Sequence, residues 1–264
     1  MRTAIVTGAA RGNGFGIAEC LAEAGYDVRL LSRGDNVFAA ADALKKLGFH
    51  ATGYRCEVGD DLFAMRKTVD SILDVTGGVD VLVNNAGLSK VAGFEDLSVT
   101  DLDELYRVNV KGTFLMTKLV IPSMKKKHFG RIINLSSVTG PIVCNPGYTG
   151  YGTMKAALVG FTKALAVEVA PYGITVNAIC PGYIRTPAVE RSARTVNPEN
   201  PESVFAGMAE GIPEGRLGKP EDVGTLAAFL ASEGAGYLTG TVTVIDGGET
   251  LPETRNFRDF YNAV

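Results

Sequence analysis

Tryptophan is absent from this 264-residue chain, and histidine occurs only twice. Scarce histidine withholds the commonest metal ligand and the commonest neutral-pH acid/base. The four cysteines, Cys20, Cys56, Cys144 and Cys180, stand far apart without a C-x-x-C pair. Neither a zinc site nor a disulfide framework has its pattern, and free thiols in a reducing compartment are expected. Excess charge is lacking too: 26 basic against 29 acidic residues leave a formal −3, so no field draws the chain to DNA, RNA or an anionic membrane. The N-terminus runs straight into Thr3–Thr7, with no basic region and no apolar leader. A cytoplasmic location is the expectation. The longest uncharged stretch, 132–154, holds Asn134, Ser136, Ser137, Pro141, Asn145, Pro146 and four glycines. A lipid-facing helix does not tolerate that content.

What the chain does carry is apolar residue, 46% of it, and glycine, 32 in all, with no G-X-Y period. That is enough for a buried core and excludes a disordered or collagen-like chain. Short β-branched runs at 3–7, 27–32, 50–54, 79–83, 130–136, 173–179 and 241–245 alternate with helical periodicity at about 14–25, 36–47, 60–76, 101–127, 151–170 and 220–232. The fold class expected is α/β: a Rossmann-like, doubly wound parallel sheet of seven strands with helices on both faces. One domain spanning 1–264 follows from the unbroken alternation. Residues 185–219, rich in Pro, Glu, Arg and Asn, break the rhythm and are expected to form a substrate lid. The tail, 249–264, mixes charge with Phe257, Phe260 and Tyr261, and is expected to dock on a neighbouring subunit or to fray.

After the first strand comes Thr7-Gly8-Ala9-Ala10-Arg11-Gly12-Asn13-Gly14, a G-x-x-x-G-x-G spacing between a strand and a helix. Small residues there let the backbone approach a pyrophosphate, and the helix N-terminus offers it free N–H groups. The spacing differs from the Rossmann fingerprint and resembles the first turn of the short-chain dehydrogenase/reductase family, TGxxxGxG. Further matches follow in order: Asn84-Asn85-Ala86-Gly87, Asn109 in Val108-Asn109-Val110, Ser137, Tyr151-Gly-Thr-Met-Lys155 and Pro181-Gly182. The resemblance covers the whole chain. It points to the single-domain branch of the family, with NAICPGYIRTP and VIDGGETLPET similar to the UcpA-like oxidoreductases. Asn13 stands where the family usually has an apolar residue.

Neither His50 nor His128 falls at a strand C-terminal end, where α/β sites form, so both read as structural. Tyr151 and Lys155, four apart, share a helix face. A phenol has a pKa near 10, and a neighbouring ammonium favours the phenolate; a shift of about three units is worth roughly 4 kcal/mol. The resemblance implies an oxidoreductase interconverting a secondary alcohol and a ketone, or a primary alcohol and an aldehyde, with a nicotinamide cofactor. It implies that Ser137 orients the oxygen, Tyr151 transfers the proton, Lys155 tunes the tyrosine and holds the nicotinamide ribose, and Asn109 supports a water chain to Lys155. Cofactor contacts would come from Gly8, Arg11, Asn13, Gly14, Ser32, Arg33, Glu57, Val58, Asn85, Ala86 and Gly87, then Pro181, Gly182, Ile184 and Thr186 on the nicotinamide side. Glu57 replaces the more usual Asp.

Ser32 ends the second strand where an acid would select NAD, and Arg33 and Arg11 lie beside it. Two guanidiniums by a neutral side chain make a phosphate fork, so NADP(H) is preferred; Asp35 offers a ribose partner for NAD(H) as the alternative. The pocket wall is expected from Leu88–Lys90, Val138–Tyr148, Tyr183 and the lid. The lid's Glu190, Arg191, Arg194, Asn197 and Glu202 favour a small polar substrate, anionic species included. The resemblance also implies a homotetramer joined through helices near 101–127 and 151–170. The rival reading is a non-catalytic nucleotide-binding relative that acts as a redox sensor or scaffold; such a protein lacks part of the Asn-Ser-Tyr-Lys set, which this chain keeps entire.

Overall fold

Seven strands, β1 (Thr3–Thr7), β2 (Asp27–Ser32), β3 (Ala51–Arg55), β4 (Val81–Asn84), β5 (Gly130–Leu135), β6 (Ile174–Pro181) and β7 (Val242–Ile245), form one parallel sheet in the order β3-β2-β1-β4-β5-β6-β7. The computed structural model describes residues 1–253; most of the expected tail, from 254 on, lies outside the described residues. Strand order reverses between β1 and β4, and a crevice for ligand opens at the carboxyl ends of such a pair.

Alternate residues of each strand feed two cores, as a period of two requires. Ala4, Val6, Leu30 and Val83 face α1 (Gly12–Glu23), α2 (Asn36–Lys46) and α9 (Pro220–Ala231), meeting Leu21, Leu44 and Leu230. Ile5, Leu31, Leu82 and Ile132 face the other way, against Met65, Ile72, Met116, Val120 and Val169 from α3 (Leu62–Thr76), α5 (Gly112–Lys127) and α6 (Thr149–Val169). The doubly wound sheet is therefore covered on both faces.

Two segments differ from the periodicity. The stretch expected as one helix over 101–127 is α4 (Val99–Tyr106), a π-helical turn (Arg107–Lys111) and α5. Its cause is Asn109: the side-chain Nδ2 donates to the Leu105 carbonyl at 2.9 Å, where a backbone N–H would otherwise bond, and the ladder widens. The second segment, 185–219, contains α7 (Pro187–Val196) and α8 (Pro201–Glu210). Each opens with proline after a capping side chain: Thr186 accepts from the Val189 N–H and Asn200 from the Ser203 N–H. Thr186→Ala is expected to cost about 1 kcal/mol locally, read as faster hydrogen exchange of the α7 amides without a change in the sheet.

The two ends of this helical segment are stitched together. Ile184 bridges Gly218, with the Arg185 N–H donating to the Gly218 carbonyl at 2.8 Å and the Gly218 N–H to Tyr183 at 2.9 Å. Arg185 pairs with Glu190 at 3.5 Å and with Glu202 at 2.6 Å, tying α7 to α8.

Candidate active site

The glycine turn is built by steric exclusion. Gly8 and Gly12 adopt φ of +65° and +58°, a region that favours glycine. A Cβ on Gly14 would lie 2.3 Å from the Gly8 carbonyl oxygen and 2.5 Å from the Asn85 Nδ2. The turn is braced by the loop after β4: Thr7 Oγ1 accepts the N–H groups of Asn85 and Ala86, both at 3.0 Å, and Asn85 Nδ2 donates to the Thr7 carbonyl at 2.9 Å. Asn85, expected as a ligand contact, thus spends its amide on the turn itself. Helix α1 opens without a side-chain cap and with no acid in its first turn, which leaves its N–H groups for an anion.

Tyr151 and Lys155 lie in the first two turns of α6, which three contacts fix against β5. Ser136 Oγ donates to the Lys155 carbonyl at 2.8 Å, Lys155 Nζ to the Leu135 carbonyl at 2.7 Å, and Asn134 Nδ2 to Thr162 at 2.9 Å. Ser137 accepts the Thr139 N–H at 3.1 Å, and its hydroxyl lies beside the Tyr151 phenol. Burial pushes the Tyr151 phenol above its ordinary value, with the Ser137 contact pulling the other way. Burial likewise pushes Lys155 down, to about 8. The expected depression of the tyrosine by the lysine is therefore corrected. Lys155 Nζ, 5.6 Å from the centre of the Tyr151 ring, is itself desolvated and bonded to a carbonyl, so burial decides the direction for both groups.

A cavity of about 630 Å³ runs along the crevice. It collects Gly8, Arg11, Asn13, Gly14, Ser32, Arg33, Glu57, Val58, Asn85, Ala86, Gly87, Tyr151, Lys155, Pro181 and Thr186, all expected as cofactor residues. A second space of about 140 Å³ adjoins it, lined by Ser137, Gly182, Tyr183, Ile184 and Val189. Asn13, Ser136, Tyr151, Pro181 and Thr186 line both. Asn109 lines neither. It is buried, and its amide holds Leu88, accepting the Leu88 N–H at 3.3 Å and donating to the Leu88 carbonyl at 3.0 Å. Its direct contact is to the loop after β4, and its Oδ1 and the Lys155 Nζ flank Gly87, 3.0 and 3.5 Å from where a Cβ there would lie.

Several expectations are redrawn. Asp35 turns to Arg55 at 3.6 Å instead of the cavity. Glu57 is held by Arg107 at 3.3 Å. Glu190 and Glu202 pair with Arg185, so the lid's acids hold the lid together instead of facing a substrate. The 138–148 wall reaches the site through Tyr148, whose ring stands edge-on to Tyr151 at 6.1 Å. His50 precedes β3 and His128 closes α5, both away from the cavities.

Residues missed by sequence reasoning include Asn36 and Ser136, both on the larger cavity, where Ser89 of the expected wall and Arg191 of the expected lid also lie. Thr186-Pro187 was the available signal for the helix that carries Arg191. All four cysteines are free, and only Cys144 is exposed. No cluster of metal-ligating side chains occurs among the described residues. No helix among them is long and apolar enough to cross a membrane.

The uncapped α1 terminus, the glycine cradle and the guanidiniums of Arg11, Arg33 and Arg191 fit an extended, anionic dinucleotide. Comparison with known proteins gives the class. The family model described as enoyl-(acyl carrier protein) reductase matches residues 8–250. The oxidoreductase UcpA of Salmonella typhimurium is 48% identical over 253 residues, 96% of each chain. The 3-oxoacyl-[acyl-carrier-protein] reductase FabG of Aquifex aeolicus is 39% identical, over 94% of this chain and 96% of that one. A solved levodione reductase superposes with a TM-score of 0.88 at 31% identity, covering 94% of this chain and 97% of the other. The chain belongs to the short-chain dehydrogenase/reductase family, and family membership carries NAD(P)(H)-dependent oxidoreductase chemistry on a small molecule.

Proposed function

We propose that the protein is an NADP(H)-preferring oxidoreductase that interconverts a small ketone or aldehyde with its alcohol. The observation that carries this reading is the meeting of two cavities at Tyr151, with the Ser137 hydroxyl beside it. A bound nicotinamide supplies or accepts the hydride. Ser137 hydrogen-bonds the substrate oxygen, and Tyr151 delivers the proton as charge develops there. Burial keeps the phenol protonated, the form required to donate. Lys155 lines the same cavity and is held rigidly on the Leu135 carbonyl, poised for the ribose hydroxyls. Asn109 is a positioning residue that sets the loop at Leu88. The volume of about 140 Å³ favours a small substrate.

The preference for NADP(H) rests on Ser32 and Arg33 lining the cavity while Asp35 faces Arg55. Arg33→Ala is expected to weaken NADP(H) by about 10- to 100-fold, the worth of a charge-assisted hydrogen bond, and to leave NAD(H) unchanged. Turnover of both cofactors against a panel of small ketones, aldehydes and polyols tests the whole reading; a strong NADH preference would overturn the cofactor assignment. No turnover at all, with either cofactor bound, would favour a sensor or scaffold instead.

We read residues 1–264 as one domain with 185–219 as its lid, working in the cytoplasm as a homotetramer. Exposed Phe114 on α5, its ring tilted against Phe161 of α6 at 5.9 Å, and exposed Val167 support association through these helices.

A further inference from the structure

The lid carries one cation to the crevice that the lid itself does not use. Pro187, Ala188 and Arg191 of α7 all line the larger cavity, and a residue three or four positions on from another shares its helix face. Arg191 is exposed, and among the described residues its guanidinium meets no carboxylate. The adjacent acid, Glu190, pairs with Arg185 instead. Val189 of the same helix lines the smaller cavity, and Arg191 does not. Its charge therefore faces the cofactor side of the crevice rather than the substrate side.

The start of α7 rests on the glycine turn. A Cβ on Gly12 would stand 3.5 Å from the Thr186 Cβ and 3.8 Å from the Pro187 Cδ. Arg191 follows one helical turn later, about 6 Å along the axis, a span that an extended arginine side chain covers. Sheet order decides which part of a dinucleotide it meets: α7 follows β6, whereas Ser32 and Arg33 end β2 on the far side of β1, and the glycine turn lies between them. The group held at that turn and at the uncapped α1 terminus is the diphosphate. A guanidinium fork matches two phosphate oxygens at once. Arg11 adds a second cation on the same cavity, whose acid, Glu57, is held by Arg107 at 3.3 Å. We propose that Arg191 is a cofactor-binding residue that latches the lid onto the diphosphate, so that α7 joins the α1 N-terminus in holding it. This inference rests on the cofactor reading above. Cofactor and substrate sites are thereby coupled, because the helix that the diphosphate orders also sets Val189 in the smaller cavity.

The test is calorimetric titration of the full chain and of Arg191→Gln with three ligands: NADPH, NADH and ADP-ribose, which keeps the diphosphate but has no nicotinamide. Arg191→Gln is expected to weaken all three by the same factor, about 10-fold, because each carries the diphosphate. Arg194→Gln, which removes an exposed cation of the same helix that lines neither cavity, should leave all three within a factor of about two. Loss confined to NADPH would place Arg191 on the 2′-phosphate, and loss that spares ADP-ribose would place it at the nicotinamide end; either overturns the proposal. So does no loss, or an equal loss in Arg194→Gln, which would reduce the effect to general charge. Hydrogen exchange supplies a second measurement: saturating ADP-ribose should slow the α7 amides of the wild type, and Arg191→Gln should lose that protection. Absence of protection in the wild type overturns the proposal, a result available even if the variant fails to fold. Failure of the wild type to bind either nicotinamide cofactor removes the functional reading and this inference together, whereas normal binding with an unaffected variant removes this inference alone.

Discussion

Tyr151→Phe is expected to lower kcat for carbonyl reduction by about 10³-fold, in the range that a positioned general acid contributes, while cofactor affinity stays within a factor of about two. The ring remains edge-on to Tyr148, and the glycine turn and Lys155 are untouched, so only the transferable proton is lost. Stopped-flow reduction with cofactor fluorescence as the binding readout separates the two quantities. The raised phenol adds a direction. Reduction uses the protonated form and should stay level through neutrality, falling only at alkaline pH; oxidation uses the phenolate and should climb across the same range. A variant that keeps more than about a tenth of its turnover would show that another group supplies the proton.

The second large effect belongs to Lys155 and concerns stability as much as rate. Its ammonium titrates at about 8 in the folded chain, against about 10.4 in the unfolded one. Between those values the unfolded state binds more protons, so folding is favoured increasingly as pH rises from 8 to 10.4, and the deficit is fully present below pH 8. The gap corresponds to roughly 3 kcal/mol. Lys155→Met removes the buried charge but leaves the Leu135 carbonyl without its donor. Relative to wild type, the variant should be most favoured near pH 7 and lose roughly 3 kcal/mol of that advantage by pH 10.5, measured as the difference in denaturant unfolding. Turnover should fall by about 10²-fold or more. A difference that does not change with pH would mean that Lys155 titrates normally.

The sheet was legible because strands buried on both faces write themselves as apolar runs, as in Leu82–Val83 and Ile132–Ile133. The turn was legible because glycine alone fits at Gly8 and Gly14. Boundaries fell within a residue or two at β3, α1 and α6, the usual fraying of assignment. The π-turn was not legible, since it depends on where one amide, that of Asn109, finds a carbonyl. Helix α7 was hidden by polar composition and α8 by its shortness, although Thr186-Pro187 and Asn200-Pro201 announced both starts. The sign of the Tyr151 shift was beyond spacing altogether. Four residues of separation place a lysine nearby, but desolvation is set by everything packed around the pair.

The stitch between Tyr183–Arg185 and Gly218 gives the lid a closed boundary. Both helices leave the sheet and return through neighbouring points, and Arg185 ties one to the other through Glu190 and Glu202. Such a piece is modular: residues 186–217 can be exchanged between relatives as a cassette without re-registering a strand. Selection acting on substrate range then has a place to work that leaves the proton-transfer residues and the glycine turn alone.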